Sequence, residues 1–477
     1  MPHRRMVSRR ICTLGRKALT PINLAAPSAI GLGEWLQSIQ QRTANVGIIG
    51  LGYVGLPLAL LFSEERFQVT GFDIDPSKVK SLNGGQSYIH RIEPEHIRAA
   101  QRSGFQATSN FAEIAGMDAV LICVPTPLHE DHTPDMSYVV STIESIAPHL
   151  RAGQLVVLES TTYPGTTEEL IVETINRHGA RKNLQVLQGR SEQHEDLDGV
   201  MVAFSPERED PGNIMTPRRD IPKVIGGMDD RATAAASALY GSVFCRTVPM
   251  STPAAAEMTK LLENIYRCVN IALVNEMKQL CERMGIDIWE VIDAAATKPF
   301  GFQAFYPGPG VGGHCIPVDP FYLSWKAEQL GLSTRFIELA GEINESMPQY
   351  VVQSTLRAME RNGVVAKDAS VLVLGVAYKR DVDDLRESPA LSIIEMLQHA
   401  GAKVHYNDPF FPTVSSGRKY DLQMHSTPLE DLDRFDCVVI VTDHSIYNFG
   451  EIVAQSKLVV DSRNATRAVD SPKIVRC

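Results

Sequence analysis

The apolar stretch Val46-Gly-Ile-Ile49 runs straight into Gly50-Leu-Gly52-Tyr53-Val54-Gly55, and the helical-looking Pro57-Leu-Ala-Leu-Leu-Phe62 follows at once. Few folds tolerate that order of strand, glycine triplet and helix. The first glycine makes a tight turn, the second lets the backbone approach a pyrophosphate, and the third lets the helix pack close to the strand. The helix N-terminus then points its positive dipole end at the phosphates. Glycines alone are a weak signal. Here a second strand, Gln68–Phe72, ends at Asp73, eighteen residues past Gly55. An acid at that place accepts hydrogen bonds from ribose hydroxyls and repels a 2′-phosphate, so the expected cofactor is NAD rather than NADP. Lys78, nearby, reads more readily as a solvated lysine than as a selector for NADP.

The theme continues along the chain. Ala119–Val124 and Gln154–Leu158 read as buried parallel strands with helical stretches between them. Past Lys367 a similar order returns, with strands expected at Ser370–Leu374, Ala402–Tyr406, Cys437–Val441 and Leu458–Val460. D-A-V-L-I-C-V at 118–124 parallels D-C-V-V-I-V-T at 436–442, and Asp408 follows its strand as Asp73 does. The turn of this second unit, Gly375-Val-Ala-Tyr-Lys379, lacks the glycine triplet, so no second dinucleotide is expected there. Lys379, Arg380 and Arg386 offer side chains that meet phosphate instead.

Between the units, Ala254–Met284 has neither Pro nor Gly and predicts one long helix stopped by Gly285. After the loop 299–320, a helix over Phe321–Gly331 and a longer one through Glu360 are expected. The fold class is α/β: two Rossmann-like, doubly wound parallel-sheet domains joined by a central helical domain. The expected division is a basic, flexible tail at 1–44, an NAD-binding domain at 45–250, a central domain at 251–362 and a second nucleotide-binding unit at 363–477. The central domain is the expected place for dimer contacts.

Bulk properties exclude other classes. A formal net charge of −10 over 477 residues argues against a nucleic-acid binder. No uncharged apolar run approaches the roughly 18 residues of a bilayer span. The eight cysteines include no C-x-x-C spacing, so neither a metal site nor a redox pair is signalled. Unclustered thiols in a long chain suit a reducing compartment, hence the cytoplasm. Residues 1–44 carry six basic side chains between Arg4 and Lys17, with no acid before Glu34, yet lack the apolar stretch of a secretory signal. The polar segment 188–199 reads as a mobile surface loop.

Of the cysteines, Cys315 stands apart in a glycine-crowded loop, Gly308-Pro-Gly-Val-Gly312-Gly-His-Cys315-Ile-Pro-Val-Asp319. Glycines there permit tight turns and close ligand approach, whereas a core cysteine usually lies in a periodic apolar segment. Taken by itself the loop leaves a nucleophile and a buried structural thiol equally open. Asp319, four residues on, is placed to orient or activate a water. Lys260 and Asn264 share one face of the long helix and suit stabilisation of negative charge on oxygen, though most helix lysines are merely solvated.

Gly50–Gly55, G-V-G-G-H-C at 310–315 with Asp319, and Y-K-R-D-V-D-D-L-R-E-S at 378–388 together resemble the UDP-glucose/GDP-mannose dehydrogenase family over about 45–465. E-S-T-T-Y-P-G-T-T at 159–167, S-P-E-R-E-D-P-G-N at 205–213 and P-G-V-G-G-H-C-I-P-V-D-P-F-Y-L at 309–323 look most like members acting on UDP-N-acetylglucosamine. Members acting on UDP-N-acetylmannosamine or UDP-glucose are close alternatives. The resemblance implies an NAD-dependent, four-electron oxidation of the sugar C6 hydroxymethyl to an acid, feeding surface polysaccharide synthesis. It implies Cys315 as nucleophile, Lys260 and Asn264 as oxyanion stabilisers, and Asp319 with Thr161 for water and proton handling. Glu207 is implied for substrate handling and hydrolysis. Tyr53, Val54, Lys78, Thr126, Thr161 and Arg386 join Gly50, Gly52, Gly55 and Asp73 as cofactor contacts. Arg208, Lys298, Phe305, Tyr306, Gly312, Lys379 and Arg463 are implied around the UDP-sugar, which 363–477 would bind, with Lys298 lent by a second subunit of a homodimer. A two-electron hydroxyacid dehydrogenase would lack both the cysteine and the second unit, and a non-catalytic nucleotide-sugar binder would have no need of Cys315, Lys260, Asn264 and Asp319.

Overall fold

The structure, a computed structural model, describes residues 31–477 apart from 90, 130, 181–182, 190–195, 209–215, 314–315 and 416–419. Cys315 and half of the loop 188–199 therefore lie outside the described residues.

The first sheet has eight strands: β1 (Asn45–Ile49), β2 (Gln68–Phe72), β3 (Gln106–Thr108), β4 (Ala119–Ile122), β5 (Leu155–Leu158), β6 (Met201–Phe204), β7 (Lys223–Gly227) and β8 (Thr247–Met250). Their order is β3-β2-β1-β4-β5-β6-β7-β8. Every strand of β1, β4, β5 and β6 past its first residue is fully buried, as expected when helices cover both faces. The sheet is parallel from β3 to β6, but β6 pairs antiparallel with β7. The four strands read from the sequence are parallel, and the reversal falls at β7, a strand that reading did not include. The described chain between Phe204 and Lys223 holds only the short turn Arg218–Asp220, not the crossover helix that a parallel return needs.

The second sheet uses β9 (Ser370–Leu374), β10 (Lys403–Asn407), β13 (Cys437–Ile440), β14 (Val459–Asp461) and β15 (Ile474–Arg476), in the order β10-β9-β13-β14-β15, all parallel. A two-stranded ribbon, β11 (Thr413–Val414) with β12 (Met424–His425), lies outside it. In both sheets the strand order reverses beside the first strand, between β1 and β4 and between β9 and β13. Such reversals open the crevices in which α/β folds bind ligands.

Helix Pro253–Met284 joins the two halves. Thr252 caps it by accepting from the Ala255 N–H, and Gly285 ends it in the left-handed region at φ 72°. Helix Arg335–Arg361 packs along it, with Asn344 Nδ2 donating to the Cys268 carbonyl at 3.1 Å. The expected tail is corrected in part: Leu32–Gln40 is a helix whose Trp35 and Ile39 are buried in the core of the first unit. Burial of those two side chains outweighs the weak helix signal of so short a segment.

Candidate active site

The glycine turn is built for a dinucleotide. A Cβ on Gly50 (φ 88°) would lie 2.7 Å from the Cys123 carbonyl oxygen, and one on Gly55 would lie 2.0 Å from that of Gly50. Both positions exclude any side chain. At Gly52 nothing lies within 4 Å, so its open face is left for a ligand. Asp73 is buried, and its carboxylate accepts from the Leu51 N–H at 3.0 Å and the Asp75 N–H at 2.9 Å. Lys78 is not simply solvated: its Nζ sits 3.2 Å from Asp73 Oδ2. Three of the carboxylate's roughly four acceptor directions are thus used, leaving room for a ribose hydroxyl. These residues fit NAD. Thr126, just past β4, is buried, and its carbonyl accepts from the Tyr322 hydroxyl at 2.6 Å.

A polar cluster forms where the exit of β5 meets the long helix. Lys260 Nζ donates to the Thr161 hydroxyl. One turn on, Asn264 Nδ2 donates to Asp319 Oδ2 at 2.5 Å, while its Oδ1 accepts from Arg267. The i, i+4 spacing thus puts both side chains on the face toward Thr161 and Asp319. Asp319 is almost fully buried at the start of helix Asp319–Gln329. Burial pushes its carboxyl up to about 6, against the opposing pull of Lys260, Asn264 and Arg267. Glu207, just past β6, is buried with the Lys223 ammonium 3.2 Å away. Burial raises its proton affinity, but Lys223, Arg218 and Lys260 outweigh that and hold it below the ordinary carboxylate range.

The glycine loop closes on the second unit. The Gly313 N–H donates to the Arg386 carbonyl at 2.8 Å, at φ 82°. A Cβ on Gly312 would meet the Tyr378 Cβ at 2.6 Å, so Gly312 is a packing contact between loop and second unit. A Cβ on Gly308 would meet the Arg463 guanidinium at 2.8 Å, and Arg463 Nε donates to the Val441 carbonyl at 2.9 Å. Lys379 is half-buried on the turn after β9. Across the cleft, Arg386 stacks on Tyr53 at 5.3 Å and pairs with Asp384 at 2.7 Å, while Arg91 lies over Tyr53 at 5.7 Å.

Other expected contacts sit apart from the polar cluster. Arg208 pairs with Glu263 and donates to the Pro222 carbonyl. Phe305 packs edge-on against Tyr266, and Tyr306 is exposed with its hydroxyl donating to Asp293. Lys298 is exposed over the Phe300 ring at 5.0 Å. A cavity of about 810 Å³ borders Gly310, Val311 and Ile316 together with Pro127, Cys268 and Asn344; it shares the glycine loop but not the polar cluster. Sequence reading missed Lys223, Glu159, Tyr240, Arg267 and Arg91. For Lys223 a signal existed, because a lysine inside the apolar run Pro222-Lys-Val-Ile-Gly is rarely buried without a partner.

Comparison with known proteins decides the family. The UDP-glucose/GDP-mannose dehydrogenase family matches in three parts: its NAD binding domain over 44–244, its central domain over 254–346 and its UDP binding domain over 372–468. The chain belongs to the UDP-glucose/GDP-mannose dehydrogenase family. It is 36% identical over 433 residues to an NDP-N-acetyl-D-galactosaminuronic acid dehydrogenase of Ralstonia solanacearum, covering 90% of this chain and 97% of that one. It is 37% identical over 437 residues to a UDP-N-acetyl-D-mannosamine dehydrogenase of Escherichia coli K12, covering 89% and 99%. Its fold is similar to that of a solved UDP-D-ManNAc dehydrogenase from Pyrococcus horikoshii, with a TM-score of 0.77, 32% identity, and 91% and 98% of the two chains covered. This dehydrogenase is thus an NAD-dependent oxidoreductase acting on a CH–OH group of a UDP-sugar. Among the described residues no helix is long and apolar enough to cross a membrane.

Proposed function

We propose that this dehydrogenase oxidises the C6 hydroxymethyl of a UDP-N-acetylhexosamine to the uronic acid in four electrons, through covalent intermediates on Cys315, in the cytoplasm. The observation that carries the reading is the linked cluster of half-buried Thr161 and Lys260 with buried Asn264 and Asp319, with Asp319 only four residues from Cys315. Bound NAD supplies the hydride acceptor for both oxidations. The first oxidation leaves an aldehyde, to which the Cys315 sulfur adds as a thiohemiacetal. The second leaves a thioester, and water displaces the sulfur as thiolate to give the carboxylate. Lys260 and Asn264 are donors for the oxygen that gains charge at each addition. Asp319, whose proton affinity lies near neutrality, takes and returns the protons of these steps. Lys379 and Arg463, the latter packed against Gly308, hold the nucleotide of the sugar in this reading, and the division at 45–250, 251–362 and 363–477 follows these roles.

The loop motifs favour N-acetylglucosamine as the sugar. The names of the relatives favour N-acetylmannosamine as a second reading. NADH formation against a panel of UDP-sugars separates them, and the expected yield is two NADH per sugar. Cys315→Ser should abolish acid formation while NAD binding persists; near-normal acid formation by that variant would sink the mechanism.

A second copy of the chain is the proposed partner. Leu262, Tyr266, Leu273, Met277, Leu280 and Met284 are exposed at three-, four- and seven-residue spacings on helix Pro253–Met284. A stripe of that length is costly to leave in water, and pairing the same face about a two-fold axis covers it in both copies.

A further inference from the structure

Lys223 lies on β7 with its ammonium all but excluded from solvent, and it touches two walls of the site at once. Its Nζ donates to Glu159 Oε2 at 2.6 Å, at the exit of β5 and two residues before Thr161. It also donates to Glu207 Oε2 at 3.2 Å and to the Pro206 carbonyl at 3.3 Å, at the exit of β6. The Tyr240 hydroxyl donates to the other Glu159 oxygen, and the rings of Tyr240 and Phe244 lie 5.1 and 5.4 Å from the ammonium. Burying an ammonium with two carboxylates is costly, and well-packed apolar residues would hold the sheet as well or better. The cluster therefore calls for a role other than stability.

We propose that Lys223 is a positioning residue for the hydrolytic step: it pins the Glu207 carboxylate and the Pro206 carbonyl against the exit of β5, so that Glu207 faces the attacking water as a base. The proposal rests on the reading of Glu207 as that base. In the step, Glu207 takes a proton from water, the oxygen bonds to the thioester carbon, the C–S bond breaks and the Cys315 sulfur leaves as thiolate. Nothing is oxidised or reduced. Among the described residues, the charged and titratable groups that act on or are acted on by Glu207 include Lys223 from β7, Arg218 from the turn before it, Lys260 from the long helix, Glu159 just past β5, Tyr240 from helix Asp230–Gly241 and Cys123 past β4. Without Lys223, burial and Glu159 both favour the protonated form of Glu207, and the base is lost at a higher pH than in the wild type.

The test uses the full-length enzyme with NAD and its UDP-sugar, in Lys223→Met, Lys223→Arg, Glu207→Gln and the double variant Glu159→Gln/Lys223→Met. The double variant removes the buried charge pair with little change of volume, and NAD binding and Tm report folding. The acid limb of kcat in Lys223→Met and in the double variant should move up by about one pH unit, tenfold in ionised fraction. Intact-mass measurement should show acyl-enzyme accumulating, and Lys223→Arg should restore much of the wild-type profile. A folded double variant with the wild-type limb and no acyl-enzyme overturns the role of Lys223. If Glu207→Gln itself turns over normally, the reading of Glu207 falls instead. If Glu207→Gln accumulates acyl-enzyme and neither Lys223 variant does, only the positioning role falls.

Discussion

Asp319→Asn should make the protein more stable at neutral pH, and the gain should vanish in acid. Asp319 is 1% exposed, and its carboxyl is raised from an ordinary 3.8 to about 6, chiefly by burial. The fold therefore binds that proton more tightly than the unfolded chain does. Stability linked to it is fully present below the unfolded value and is lost as pH rises through about 6. The difference of about two units, at 1.36 kcal/mol each, is about 3 kcal/mol. Asparagine stays neutral at every pH and keeps an oxygen to accept from Asn264. Near pH 3 the titration hardly separates the two proteins, and near pH 8 the variant gains about 3 kcal/mol. For a cooperative unit of roughly 200 residues this is about 6–12 °C in Tm. Scanning fluorimetry of both proteins across that range reads it directly. A Tm difference that stays constant with pH, or grows in favour of the wild type, refutes the buried-carboxylate argument. Turnover should collapse in the same variant, a trade of activity against stability expected where a functional group is held in a costly place.

Gly52→Val should fold normally, since nothing lies within 4 Å of a Cβ placed there, yet weaken NAD at least about tenfold by filling the face left to the pyrophosphate; an unchanged NAD dissociation constant in a fluorescence titration would contradict the placement. Leu273→Arg with Leu280→Arg should convert a dimer to monomers in light scattering, because each puts a charge into the apolar stripe, and a dimer mass that survives both changes removes that face from consideration.

The parts that were legible in the sequence are those whose causes are local. Gly50 and Gly55 announce themselves because the backbone there forbids any Cβ, and that prohibition is written in one short segment. The long helix was readable for a similar reason, with Gly285 in the left-handed region as its stop. Lys223 and Glu159 are 64 residues apart, and no local pattern shows that β7, which carries Lys223, and β5, whose exit carries Glu159, flank β6 on its two sides. The reversal at β7 escaped because the direction of a strand depends on the connection before it, not on its own residues. Helix Leu32–Gln40 escaped because its stability comes from docking Trp35 and Ile39, which a charge-based reading of the N-terminus overlooks.

The two acidic groups of the proposed site are pushed in opposite directions, and in the proposed mechanism that divergence divides their work. Asp319 is buried among Asn264, Lys260 and Arg267, but burial prevails and its proton is exchangeable near neutrality. Glu207 is buried to a similar degree, yet Lys223, Arg218 and Lys260 hold it ionised. A pair of carboxyls so separated divides into one that exchanges protons in both directions and one that only accepts. A four-electron oxidation that ends in hydrolysis needs both kinds: the alcohol and the thiohemiacetal each release a proton as electrons leave, and the final water must be deprotonated once. In the proposed mechanism Arg267 and Lys223 thereby set the balance between the two acids from behind.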